Sequence, residues 1–258
     1  MNLNSIKKVL FMLMVTALTL GGCFNLKIPS KIIKTTDGDV IKKANTLFPI
    51  ESFVIMSQEF VIVSPCYEDD CEPVVLNRFE SAGSGTIIKN DEGFDYVLTA
   101  GHICMPPQSD MATLSFVEAD LHYKISLTTG FGQEAIGEII AIDPQNDLCL
   151  LKSSSTLGPA LRVSKVGPML HERIHNMANP AGLAVSLAVP VFSGYYVGDV
   201  STLSIFSIPA VGGSSGSPIL NENNEIISII SAAAIRFDEY AIGPHTESVN
   251  KFLEAYLP

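Results

Sequence analysis

Residues 212–229 read GGSSGSPILNENNEIISI: glycines and serines closed by a proline, a short apolar run, a polar turn and a second apolar run. The first seven residues alone have the composition of a flexible linker or a turn. Joined to the hairpin that follows, they read as a loop entering a strand. Glycine at 213 and 216 has no Cβ to clash, so the backbone there can aim successive N–H groups inward. Ser215 stands in the middle of that loop. It is either filler or a nucleophile, and the rest of the chain decides between the two.

A nucleophilic serine needs a base to take its proton and a carboxylate to orient that base. Residues 97–104, VLTAGHIC, place His102 directly after an apolar strand, in a turn of small residues that lets an imidazole face a cleft. Residues 140–152, IAIDPQNDLCLLK, place Asp147 at the start of another apolar strand, where its carboxylate would be partly buried. The chain order is therefore His102, Asp147, Ser215, the order found in chymotrypsin-like triads. Taken singly, His102 could be a core histidine, Asp147 a turn cap and Ser215 linker filler.

Outward from these segments the texture is that of a β protein. Short apolar runs separated by turn signals fill the chain from Phe53 onward, and 86–100 (TIIKNDEGFDYVLTA) reads as a hairpin with KNDEGF as its loop. Only the tail looks helical: Thr246 is placed to cap, with Val249, Phe252, Leu253, Tyr256 and Leu257 on one face. The chain has 258 residues, 47% of them hydrophobic and 17% charged, which supports a sizeable core. A formal net charge of -11 and the lack of a basic patch argue against a nucleic acid partner.

Several segments in order resemble the trypsin-like serine protease superfamily, in its bacterial Deg/Htr and glutamyl-endopeptidase-like branches. GSGTII (83–88) with YVLTAGH (96–102) is similar to the first-barrel hairpin and histidine turn, and DPQNDLCLLK (143–152) to the aspartate strand. NPAG (179–182) resembles a second-barrel strand and turn. Residues 212–229 match the nucleophile loop and hairpin, and YAIGPHTESVNKFL (240–253) the closing strand and helix. The resemblance implies an all-β fold: two six-stranded antiparallel β-barrels, about 53–160 and 161–258, with the active-site cleft between them and a C-terminal helix. It implies His102 as base, Asp147 as its orienting partner, Ser215 as nucleophile, and the N–H groups of Gly213 and Ser215 as oxyanion hole. Ser231 would hydrogen-bond Asp147 through its hydroxyl, and Ala232 and Ala233 would lie on the strand that pairs with substrate. With Ala210 they suggest an uncharged, apolar residue on the acyl side of the scissile bond. The reaction expected is endopeptidase hydrolysis through an acyl-enzyme, with a protein or peptide substrate and no cofactor or metal.

Two departures from the pattern matter. Ser214 precedes the nucleophile where trypsin has an aspartate that pairs with a newly cut N-terminus, so activation by that route is not expected. No residues follow the tail helix for the PDZ domains of Deg/Htr proteins, so recognition of a substrate C-terminus is not expected either.

The N-terminus carries a short positive stretch, MNLNSIKK, then the apolar VLFMLMVTALTL, too short to span a bilayer comfortably, then LGGC ending at Cys23. This resembles a bacterial lipoprotein signal with its lipobox. Residues 1–22 are then a signal peptide, Cys23 the lipidated residue, 23–52 a tether and 53–258 the protease domain, anchored by lipid in the cell envelope. Phe24 at the next position favours an outer-membrane address, on the periplasmic face of a Gram-negative cell. An exported chain keeps four further cysteines, which permit Cys66–Cys71 and Cys104–Cys149 disulfides, the second pair alternatively remaining as buried thiols.

Two other readings stand beside the peptidase. HERIH at 171–175 is a literal zinc-peptidase motif, but Pro168 and Pro180 leave barely enough room for the helix it needs, and a third ligand is lacking apart from His245 or a scattered carboxylate. A protease fold without activity, serving as a binding or assembly lipoprotein, would carry the same letters. His122 reads as a strand surface residue, His245 as a turn residue, and the acidic 68–70 as a solvated loop.

Overall fold

The computed structural model describes residues 48–64, 74–106, 120–234 and 237–258. All lie within one compact unit, Lys43–Pro258. The signal segment, Cys23, most of the tether, the proposed Cys66–Cys71 pair and the acidic 68–70 lie outside the described residues.

The first half is a closed antiparallel barrel of six strands: β1 (Phe53–Val63), β2 (Val75–Asp91), β3 (Phe94–Ala100), β4 (Asp120–Thr129), β5 (Glu134–Asp143) and β6 (Leu148–Ser153), in the order β1-β2-β3-β6-β5-β4. Alternation in β1 sends Val54, Met56, Phe60 and Ile62 inward. β3 and β6 instead read as almost continuous apolar runs because both their faces are covered. The β2–β3 hairpin turns at Glu92–Gly93, tighter than the six-residue loop expected from sequence; Asp91 pairs with Phe94, and Gly93 takes the left-handed conformation at φ 84°.

The second half comprises β7 (Arg173–Met177), β8 (Val191–Val200), β9 (Leu203–Phe206), β10 (Pro218–Leu220), β11 (Ile226–Ile229), β12 (Ala232–Ala234) and β13 (Phe237–Pro244), in the order β11-β10-β7-β8-β9-β13-β12. Its two edges, β11 and β12, are consecutive pieces of one strand. The Ile230 N–H still donates to Ser217 on the β10 side, and the Ser231 N–H already donates to Ile242 in β13. The sheet thus closes through the chain itself, and its sixth strand changes partner at Ile230–Ser231.

The barrels meet at a small apolar seam in which Phe53, Met177, Ala184, Leu220 and Ile226 pack together. The tail is α1 (Thr246–Tyr256), which lays Val249, Phe252 and Leu253 into the core of the first barrel although it follows the second in sequence. Its N-cap is His245; Thr246, the cap expected from sequence, is the first helical residue, and its hydroxyl donates to the Ile227 carbonyl instead. Tyr256, expected on the buried face, is half exposed. Among the described residues no helix is long and apolar enough to cross a membrane.

Candidate active site

β3 ends in a short 3-10 turn, Gly101–Cys104, that lifts His102 out of the barrel. Gly101 leaves room for this approach: a Cβ would lie 3.0 Å from the Leu148 amide and 3.2 Å from Asp147 Oδ1, a tight fit. Asp147 enters β6 in the left-handed region, φ 53°, a conformation that aspartate tolerates better than most residues. That bend turns its carboxylate back toward the histidine turn. Asp147 Oδ1 accepts the His102 backbone N–H at 2.7 Å, and His102 Nδ1 lies 3.0 and 2.9 Å from the two carboxylate oxygens. An ionised carboxylate only accepts, so Nδ1 is the donor, and in the neutral ring Nε2 keeps its lone pair. The carboxylate is about a quarter exposed and the imidazole nearly half, so the couple is partly shielded and open on one side.

A disulfide joins Cys104 to Cys149 across 45 residues of sequence, the pairing that the cysteine count had left open. Both sulfurs are buried in the first barrel. One cysteine lies two residues after His102 and the other two residues after Asp147, so the bridge ties together the two segments that carry the couple.

The 212–218 loop approaches from the second barrel, and its peptides are fixed by their carbonyls. Gly212 O accepts from Ala181 N–H at 2.7 Å, Gly213 O from the Ser84 hydroxyl at 2.9 Å, Ser214 O from Ser217 N–H at 3.0 Å and Ser215 O from Ser84 N–H at 2.8 Å. In a trans peptide the N–H points opposite to the C=O, so these anchors also aim the amides. The Ser214 and Gly216 N–H groups go to Val211 and Ile230. Among the described residues, those of Gly213 and Ser215 donate to nothing in the chain. Gly213 at φ 90° and Gly216 at φ 81° make the path possible; a Cβ at 213 would sit 2.3 Å from the Asn179 carbonyl.

Ser215 lies between two hollows. One, of about 410 Å³, is lined by Ala210, Val211, Gly212, Ile230, Ala232 and Ala233 together with Ser215, and has no charged wall among the described residues. The other, of about 460 Å³, is shared by His102, Gly213 and Ser215 and walled by Phe60, Phe79, Ile103, Met105 and Pro106 among others. His102 and Ser215 therefore border one cleft, with the Asp147 carboxylate bonded to the histidine. The Ser215 hydroxyl makes no hydrogen bond to His102 among the described contacts.

Ser231 departs from expectation. Among the described residues its hydroxyl is buried and unpartnered rather than bonded to Asp147, whose side-chain hydrogen bonds there all go to His102. HERIH forms no helix: His171 is in a turn at φ 64°, whereas His175 lies in β7, with Nδ1 2.8 Å from Ser193 Oγ and its ring against Phe48. The two imidazoles thus lack the shared helix face that a zinc peptidase requires, and no cluster of three metal-ligating side chains exists among the described residues. His245 lies away from both hollows, 3.4 Å from Asp199 in a group with Tyr196 and Ser204. There, burial and the Asp199 carboxylate push the Tyr196 phenol up to about 12. Sequence reading gave no role to Ser84, Ala181 and Asn179, the residues on which the 212–218 loop rests.

A model of the trypsin-like peptidase domain matches residues 83–229. No curated protein sequence matches the chain. Among solved structures, the serine endoprotease from Yersinia pestis superposes with a TM-score of 0.55 at 17% identity, covering 83% of this chain and 65% of that one. At that identity the likeness is one of fold, and the chain spans about two thirds of the neighbour's length. The domain match takes in the histidine turn, the aspartate strand and the nucleophile loop in order, and on it the chain belongs to the trypsin-like peptidase family.

Proposed function

We propose that the protein is a serine endopeptidase working through an acyl-enzyme. The observation that carries the reading is the His102–Asp147 couple, with its free Nε2, bordering the same cleft as Ser215 and two unused backbone N–H groups. Ser215 Oγ attacks the scissile carbonyl carbon while its proton passes to His102 Nε2. The carbonyl oxygen becomes an oxyanion received by the N–H groups of Gly213 and Ser215. The C–N bond then breaks, His102 returns the proton to the departing amine, and water repeats the sequence to free Ser215. Asp147 holds the tautomer and stabilises the imidazolium. The uncharged hollow beside Ala210, Ala232 and Ala233 favours an apolar residue on the acyl side of the bond.

The same proposal places the domain on the outside of a membrane, carried by lipid on Cys23 through the 23–52 tether. This part rests on the sequence of the N-terminus. Several buried acyl chains would hold it firmly, each methylene contributing about 0.8 kcal/mol.

A second reading, a catalytically silent member of the fold acting as a binding or assembly lipoprotein, draws on one observation: the missing hydrogen bond between Ser215 and His102. Such bonds are often long in unliganded enzymes and tighten with substrate. Labelling of the purified protein by a fluorophosphonate separates the two readings. Labelling that vanishes in Ser215→Ala supports the peptidase; a folded wild type that never labels supports the silent reading. Peptidase turnover retained in Ser215→Ala would sink the assignment.

A further inference from the structure

We infer that Ser84, in the first barrel, is a positioning residue for the oxyanion donors of the second barrel. The inference rests on the reading of Ser215 as nucleophile and goes beyond it.

Ser84 lies in β2 and is fully buried. Its hydroxyl donates to Gly213 O at 2.9 Å and accepts the Asn179 N–H at 3.1 Å, bridging two loops of the other barrel. Its backbone N–H donates to Ser215 O at 2.8 Å. Its carbonyl accepts from the hydroxyl of Thr99 at 2.7 Å, three residues before His102 on the paired strand β3. One residue thus supplies two of the four anchors that orient the 212–216 peptides, and it is held by the strand that delivers the base. Gly216 packs so closely over it that a Cβ there would meet Ser84 O at 2.1 Å.

The consequence follows from peptide geometry. With Gly213 O held toward Ser84, the Ser214 amide is directed to Val211, and the Gly213 N–H keeps the direction set by the Gly212–Ala181 bond. Removing the hydroxyl frees the 213–214 peptide to rotate. It also leaves two buried backbone groups, Gly213 O and Asn179 N–H, short of a partner. The Asn179 N–H so released lies two residues before Ala181, whose N–H holds Gly212 O and with it the Gly213 N–H, so the donor at 213 then spends part of its time misdirected. Preorganised donors act in the transition state more than in ground-state binding, so kcat should fall while KM holds.

The test uses the whole protein as Ser84→Ala, Ser84→Thr and Ser215→Ala beside wild type. A lost oxyanion donor typically costs about 10²–10³ in rate, and a loosened one should cost less. The expected result for Ser84→Ala is therefore a kcat lower by about 10–100-fold with KM nearly unchanged, and Ser84→Thr, which keeps the hydroxyl, restoring most of the rate. Amide hydrogen exchange at Ser214, Gly216 and Ser217 should be at least about tenfold faster in Ser84→Ala, because the loop opens locally more often. Wild-type kcat in Ser84→Ala overturns the inference, as does a loss shared equally by KM and melting temperature that threonine does not repair. Silence of the wild type itself overturns the peptidase reading instead. The exchange measurement then decides for Ser84 alone: acceleration supports it, and unchanged exchange overturns it.

Discussion

The two barrels set their halves of the site by different means. In the first, a covalent bridge and a hydrogen-bonded carboxylate hold two side chains, His102 and Asp147, within 3 Å of one another. In the second, four hydrogen-bonded carbonyls hold a stretch of main chain, and its useful groups are the amides left over. A base must keep one tautomer and one orientation, which a bidentate carboxylate enforces. An oxyanion hole must keep two dipoles aimed at one point, which requires the whole loop to be fixed. The first half is therefore sensitive to single side-chain atoms and the second to backbone freedom.

Breaking the carboxylate should give the largest effect. Asp147→Asn preserves size and can still accept from His102 N–H, but its amide can donate to Nδ1 and favour the tautomer with Nε2 protonated. Turnover should fall about 10⁴-fold with little change in melting temperature, read by peptide hydrolysis and a thermal scan. A loss below about tenfold would mean that the histidine is oriented by something else.

Next is the covalent tie. Cys104→Ala with Cys149→Ala opens a loop of 45 residues and should destabilise the domain by about 4 kcal/mol. For a domain of this size the melting temperature should drop by roughly 8–16 °C. At temperatures where the variant stays folded, activity should fall further than in a control core substitution of equal destabilisation. Equal loss in both would make the bridge a staple for the barrel and nothing more.

On the other side, Gly213→Ala forces a Cβ to within 2.3 Å of the Asn179 carbonyl at φ 90°. It should reduce kcat by about 10²–10³, the value of one oxyanion donor, while fluorophosphonate labelling slows in parallel. A loop that tolerates alanine would show that the donor at 213 is dispensable.

The parts legible in sequence were those written in local pattern. His102 follows an apolar strand, Asp147 opens another, and glycine recurs where the backbone must turn left-handed, so the site's principal residues could be named from short windows. The short strands and the helical tail were readable for the same reason, whereas closure of the first barrel was expected from the family resemblance. What escaped depends on residues distant in sequence. Ser84 meets Gly213 across 129 positions, and nothing in GSG announces the partner. Thr246 looks like a cap, but a buried carbonyl at Ile227 competes for its hydroxyl. Ser231 was assigned a bond to Asp147 by family likeness, whereas among the described residues the Asp147 side chain bonds only to His102. The pairing of Cys104 with Cys149 could be permitted by counting, but only the adjacency of β3 and β6 brings them together.

The packing of α1 also constrains the order in which the protein becomes competent during synthesis. Val249, Phe252 and Leu253 complete the core of the barrel that is made first. A nascent chain that has emerged as far as His245 contains His102, Asp147 and Ser215 but lacks the apolar plug that closes the base-bearing half. The first barrel cannot reach its final stability as an isolated co-translational unit, in contrast to a domain whose core is contiguous in sequence. Completion of the first barrel is thereby deferred until residues 246–256 have been made.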